Sequence, residues 1–132
     1  MLKRNKRFLI MLLTFAFPFG CVGCLEGGSV TYEQISGAEA KALMDSESGY
    51  IIIDARTQEE YDQGHIPGAI LIPEYEIADR AENELPDKDQ LILVYCRSGR
   101  RSKIAAEELV KLGYTNVKEF GGIIDWEYEI VK

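Results

Sequence analysis

Three short runs of continuous apolar residues constrain this chain more than any other feature. They are Tyr50-Ile51-Ile52-Ile53 before Asp54, Ala69-Ile70-Leu71-Ile72 before Pro73, and Leu91-Ile92-Leu93-Val94-Tyr95 before Cys96. A strand wetted on one face alternates apolar and polar side chains. A strand apolar at every position is covered on both faces, the habit of parallel sheets packed between helices. The segments between the runs carry helix signals. Ser36-Gly37-Ala38-Glu39 and Thr57-Gln58-Glu59-Glu60 are capping boxes, a hydroxyl at the N-cap with Glu three residues on. The first opens a helix to about Met44 or Asp45, and the second a short helix ending near Gly64. Glu74 to Glu84 reads as one or two short helices. Ala105, Leu109 and Leu112 define the apolar face of a strong helix beginning near Ser102, with Gly113 as its C-cap. Val30 to Ile35 and Asn116 to Phe120 complete the strands, and Gly121-Gly122 leads to a last helical turn around Trp126. Strand alternates with helix throughout, so the fold class is α/β with a largely parallel sheet, whose ligand site lies at the C-terminal ends of the strands.

The 132 residues suffice for one domain, and 46% hydrophobic with 28% charged residues is a globular composition rather than a disordered one. Twelve Gly and three Cys exclude collagen-like and disulfide-dense scaffolds. Charge is unevenly spread. Residues 1–24 hold Lys3, Arg4, Lys6 and Arg7 and no acid; the remaining 11 basic and 22 acidic side chains give residues 25–132 a formal charge of −11. So acidic a body argues against a nucleic-acid partner, because phosphate contacts need a basic face.

The first 24 residues read as an address. A basic start is followed by an apolar run from Phe8 to Phe19, shorter than the roughly 18–20 residues of a spanning helix. Val22-Gly23-Cys24 resembles a bacterial lipobox, in which small residues precede a Cys that is lipidated and becomes the new N-terminus. Cys21 stands where an aliphatic residue is usual, and Phe19-Gly20-Cys21 is a poorer second candidate. Residues 1–24 are thus expected to be a lipoprotein-type signal peptide, 25–29 a tether, and 30–132 the domain. Lipid on Cys24 would hold it outside the cytoplasmic membrane, and ordinary cleavage nearby would give a secreted or periplasmic protein.

Processing at Cys24 leaves Cys96 as the only free thiol of the mature chain. Cys96 ends the third apolar run and opens the loop Cys96-Arg97-Ser98-Gly99-Arg100-Arg101, which feeds a helix N-terminus. The helix dipole and three Arg residues favour the thiolate, the form that acts as a nucleophile. Gly99 lets the backbone turn so that several N–H groups converge as an anion nest. The loop is expected to hold an anionic sulfur with an oxyanion beside it. One His and one free Cys cannot assemble a zinc site, and neither a metal nor another cofactor is expected.

Three segments together resemble the rhodanese family of sulfurtransferases in its single-domain form. The first runs from Asp54-Ala55-Arg56-Thr57 to His65-Ile66-Pro67-Gly68-Ala69. The second is the Cys96–Arg101 loop, and the third is Gly113-Tyr114, Asn116-Val117 and Gly121-Gly122-Ile123 to Trp126. The resemblance implies a five-stranded, mostly parallel sheet flanked by helices. It also implies that Cys96 takes sulfur from thiosulfate or a persulfide, becomes a persulfide, and passes the sulfur to cyanide or a thiol. Backbone N–H groups of Arg97 to Arg101 would stabilise the persulfide, and Arg101 would face a substrate oxyanion. Related phosphatases place Arg six positions after the Cys. Here that place is Ser102, and the shorter loop suits sulfur rather than phosphate. Asp54 and Arg56 read as a structural ion pair near the site, His65 as part of a structural turn, and Trp126 as core or pocket wall. The competing function is a carrier, sensor or protein-binding module that holds a persulfide without turnover.

Overall fold

The computed structural model describes residues 31–132. The proposed signal peptide, its Cys24, the 25–29 tether and the first residue of the expected domain lie outside the described residues.

Five strands and four α-helices alternate: β1 (Glu33–Gln34), α1 (Gly37–Ser46), β2 (Ile51–Asp54), α2 (Gln58–Gln63), β3 (Ile70–Leu71), α3 (Ile77–Glu84), β4 (Ile92–Cys96), α4 (Arg100–Lys111) and β5 (Val117–Gly122). Short 3₁₀ turns at Glu74–Glu76 and Ile123–Asp125 precede α3 and follow β5. The sheet order is β1-β5-β4-β2-β3, and every pairing is parallel. The outer strands are shorter than expected: among the described residues the stretch up to Ile35 contributes only Glu33–Gln34 to the sheet, and the third strand only Ile70–Leu71.

The continuous apolar runs serve both faces, as parallel-sheet geometry requires. Alternate side chains of β2 and β4, namely Ile53, Ile92, Val94 and Cys96, pack against α3 and α4 through Ile77, Ala81, Ala105 and Leu109. Their neighbours Ile52, Leu93 and Tyr95 face the other way, onto Ala40 of α1, Ile66 and Phe120. All five residues of β4 are buried, so it is the central strand. Full burial of an Ile, Leu or Val side chain contributes about 1.5–3 kcal/mol.

Both capping boxes form. Ser36 Oγ accepts the Glu39 N–H at 3.0 Å and Thr57 Oγ1 accepts the Glu60 N–H at 3.3 Å. Helix α4 closes with a Schellman motif: Tyr114 N–H bonds Leu109 O, Gly113 N–H bonds Val110 O, and Gly113 takes φ +95°. Its start differs from the sequence expectation. The helix begins at Arg100, and Gly99 at φ +107° is its N-cap. Ser102, near which the helix was expected to start, lies inside the first turn, fully buried, with its hydroxyl engaged in the interior. The last helical turn likewise falls before Trp126, at Ile123–Asp125, and Trp126 packs against Phe120 with ring centroids 5.6 Å apart.

Candidate active site

Cys96 is the last residue of β4 rather than part of an exposed loop, and it is 1% exposed. It points to the α4 side of the sheet, beneath the first turn of that helix. The loop between them is only Arg97, Ser98 and Gly99. The left-handed φ of Gly99 turns the chain sharply enough for its own N–H to point back at Cys96 Sγ, at 3.0 Å. Ser102 Oγ stands 3.3 Å from the same sulfur. Burial pushes the Cys96 thiol up. The Ser102 hydroxyl and the N–H groups of Ser102, Gly99 and Ser98 outweigh it and hold the thiol below its ordinary value.

The loop is walled by β5. The β4–β5 register slips between Val94 and Cys96, so that Cys96 pairs with Gly122 instead of Gly121. The extra residue of this bulge is Gly121, at φ +87°. A Cβ on Gly122 would stand 2.0 Å from Arg97 O and 2.6 Å from Ser98 Cα. The glycine pair therefore lets the last strand pass against the loop and holds it in shape.

The three arginines have different surroundings. Arg97 and Arg100 are exposed, and among the described residues neither forms an ion pair. Arg101 is held by Glu60 in a two-pronged pair, Nη1 to Oε1 at 2.7 Å and Nη2 to Oε2 at 2.8 Å. In this structure Arg101 therefore faces a carboxylate, where the resemblance implied a substrate oxyanion. The Arg101 hydrogen bonds hold the Glu60 carboxyl down at about 2, against the opposing effect of burial. A cleft of about 470 Å³ opens beside the loop, lined among others by Arg97, Glu60, Ile123 and Ile124.

Asp54 and Arg56 form the expected buried pair. Asp54 Oδ1 accepts Arg56 Nε–H at 2.9 Å, and Oδ2 accepts Arg56 Nη2–H at 2.7 Å and the Tyr95 hydroxyl at 2.6 Å. Arg56 Nη2 also donates to Gly64 O at 2.7 Å, and Ile66 N–H donates to Tyr95 Oη at 3.1 Å. This network fixes the Gly64–Pro67 turn to the ends of β2 and β4. His65 in that turn stacks on Tyr61, 3.7 Å between centroids, and its Nδ1 lies 3.0 Å from Tyr61 O. Its backbone pairs with Val131, so the C-terminal segment is anchored here. Trp126 lines a separate hollow with Tyr50, Ile66 and Tyr128.

Three residues in the loop's surroundings escape sequence reasoning: Glu60, Ser102 and Glu119. Glu60 reads as the second half of a capping box and Ser102 as the approximate start of a helix. Glu119 sits in a strand with no local pattern that marks it. Among the described residues no three His, Cys, Asp or Glu side chains converge as a metal site.

Comparison with known proteins agrees with this geometry. A family model described as a rhodanese-like domain matches residues 36–129. The chain is 45% identical over 73 residues to Thiosulfate sulfurtransferase PspE of Escherichia coli (strain K12), covering 55% of this chain and 70% of that one. It is 40% identical over 94 residues to Putative sulfur carrier protein YrkF of Bacillus subtilis (strain 168), covering 70% of this chain and half of that relative. A solved structure described as rhodanese with anions from E. coli superposes with a TM-score of 0.60 at 42% identity, over 63% of this chain and 98% of that one. A match over 94 consecutive residues, carried on the same parallel sheet and loop, shows that the chain belongs to the rhodanese-like domain family.

Proposed function

We propose that the chain is a sulfurtransferase that carries sulfane sulfur on Cys96. One observation carries the reading: the Cys96 sulfur lies at the N-terminus of α4, within hydrogen-bond reach of Gly99 N–H and Ser102 Oγ. These donors favour an anionic sulfur at neutral pH. The thiolate attacks the outer sulfur of thiosulfate, and the S–S bond breaks towards sulfite. A singly charged thiolate and a doubly charged donor thus become a singly charged persulfide and doubly charged sulfite. Cyanide or a thiolate then takes the outer sulfur and returns Cys96 to its starting state, a two-step covalent cycle with ping-pong kinetics. Arg97 and Arg100, exposed and free of ion pairs among the described residues, supply positive charge at the mouth for an anionic donor. The persulfide needs neither a metal nor another cofactor.

The test is intact mass before and after excess thiosulfate. Wild type gains one sulfur atom, and cyanide removes it. Cys96→Ser gains none and stays folded, because a serine hydroxyl can use the same Gly99 and Ser102 partners. A wild type that gains no sulfur from thiosulfate, polysulfide or glutathione persulfide sinks the reading. A second reading, a carrier that holds the persulfide for a partner, is favoured by the sulfur carrier named among the relatives. Stoichiometric loading with no turnover in thiosulfate and cyanide identifies it.

The place of action follows from residues 1–24. The basic start, the short apolar run and Val22-Gly23-Cys24 give a lipid anchor on Cys24 and a domain tethered outside the cytoplasmic membrane. Cys24→Ala blocks lipidation and release of the signal peptide by that route. Mass spectrometry that finds an unmodified N-terminus downstream of Cys24 removes the anchor.

A further inference from the structure

Glu119 is a carboxylate inside the protein that the persulfide cycle leaves unused. It lies on β5, 3% exposed, on the same side of the sheet as Cys96 and α4. Its Oε1 is 2.6 Å from Ser102 Oγ and accepts the Gly121 N–H at 2.8 Å. Ser102 is fully buried, and its Oγ is the atom 3.3 Å from Cys96 Sγ. The serine hydroxyl has a single proton, and besides Glu119 and the sulfur it has Gly99 O at 3.0 Å and Gly121 O at 3.4 Å within reach. If it donates to Glu119, its oxygen accepts from the Cys96 thiol. If it donates to sulfur, the sulfur is a thiolate and the serine oxygen accepts from a protonated Glu119. Both arrangements hold the same protons and the same net charge. With thiolate and carboxylate ionised together, two buried anions compete for one hydroxyl proton, which is the costly state.

We propose that Cys96 and Glu119 share one proton through Ser102, so that the thiol ionises by passing its proton inward to Glu119. The S–H bond breaks as a new O–H bond forms on Ser102, whose own proton moves to Glu119 Oε1; no electrons are exchanged. Glu119 is thus a positioning residue acting through Ser102, and the idea rests on Cys96 being the nucleophile. The other charges around the pair are accounted for. From α4, Arg101 bears on Cys96 but is held by Glu60 of α2. On β2, Asp54 is paired with Arg56. On β5, Lys118 alternates to the opposite face of the sheet and pairs with Glu33 of β1.

Carbon-13 NMR of the full chain follows Cys96 Cβ and Glu119 Cδ with pH. A shared proton makes both nuclei titrate in the same two steps. Blocking Cys96 with iodoacetamide then collapses Glu119 to one step. A Glu119 curve unchanged by the block overturns the proposal, and this readout needs no variant to fold. The pH profile of alkylation gives a second readout. In Glu119→Gln the amide oxygen keeps the place that accepts from Gly121 N–H and Ser102, but it cannot take a proton, so the alkylation profile should collapse to one step. Ser102→Ala should alkylate about tenfold slower near neutral pH, the size of a one-unit coupling. A two-step profile that persists in Glu119→Gln overturns the proposal. Sulfur uptake is scored separately by mass. Coupled titrations without uptake support the shared proton and overturn the sulfurtransferase reading. Uptake with uncoupled titrations overturns the shared proton alone.

Discussion

Two arginine–carboxylate pairs flank the loop of Cys96, and they are built differently. Arg56 and Asp54 are 6% and 0% exposed, and their network continues into Tyr95, Gly64 O and Ile66 N–H. Arg101 and Glu60 are 22% and 26% exposed, and beyond each other their side chains hydrogen-bond, among the described residues, only with Thr57. The first pair joins two strand ends to a turn, and although Arg56 reaches the wall of the cleft, its guanidinium is already engaged by Asp54 and Gly64 O. The second is more exposed, and its Glu60 lines the same cleft, so an anion there has fewer partners to displace at the Arg101 guanidinium. A buried pair with every partner in place locks geometry. A half-exposed pair can exchange partners at little cost.

Three measurements break or sharpen that contrast. The largest effect belongs to the buried pair. Asp54→Ala strands Arg56 and the Tyr95 hydroxyl, and should lower stability by about 3–5 kcal/mol. A urea midpoint that implies a loss below about 1 kcal/mol would make the two pairs alike.

Arg101→Ala comes next, and its effect should fall on activity. Donor kcat/KM is expected to drop about tenfold to a thousandfold, the scale of one oxyanion contact. The stability cost should stay within about 1 kcal/mol. Unchanged thiosulfate kinetics, or a stability loss as large as that of Asp54→Ala, would assign Arg101 to the scaffold.

The smallest effect is a pH dependence. Glu60 is held at about 2 in the fold against an ordinary 4.5. A depressed carboxyl adds stability above its unfolded value and loses it as pH falls through the folded one. The window is therefore pH 4.5 down to about 2. The contribution is roughly 1 kcal/mol for a part-exposed pair. Urea midpoints across this range should fall more steeply for wild type than for Glu60→Gln. Parallel curves would mean that the pair contributes nothing.

The frame of this protein is legible residue by residue. Runs apolar at every position announce strands covered on both faces, and Ser36 and Thr57 announce helix starts, because these signals act within a few residues. Cys96 at a strand end and Gly99 three residues on are local in the same way. The local reading went astray at the start of α4, expected near Ser102 but found at Arg100, with Ser102 drawn into the interior by partners elsewhere in the chain. Those partners are what tertiary structure alone decided. Glu119 lies 17 residues from Ser102, Glu60 lies 41 from Arg101, and Tyr95 lies 41 from Asp54. A carboxylate in β5 or α2 carries no sign of what it will face until the sheet order β1-β5-β4-β2-β3 puts β5 beside β4 and packing brings Glu60 of α2 to Arg101 of α4. Sequence alone placed Cys96 at a strand end before a glycine turn, because the strand end and the turn are short-range effects. Packing determined which groups set its charge, because hydrogen bonds between distant segments form only once burial removes water as the competing partner.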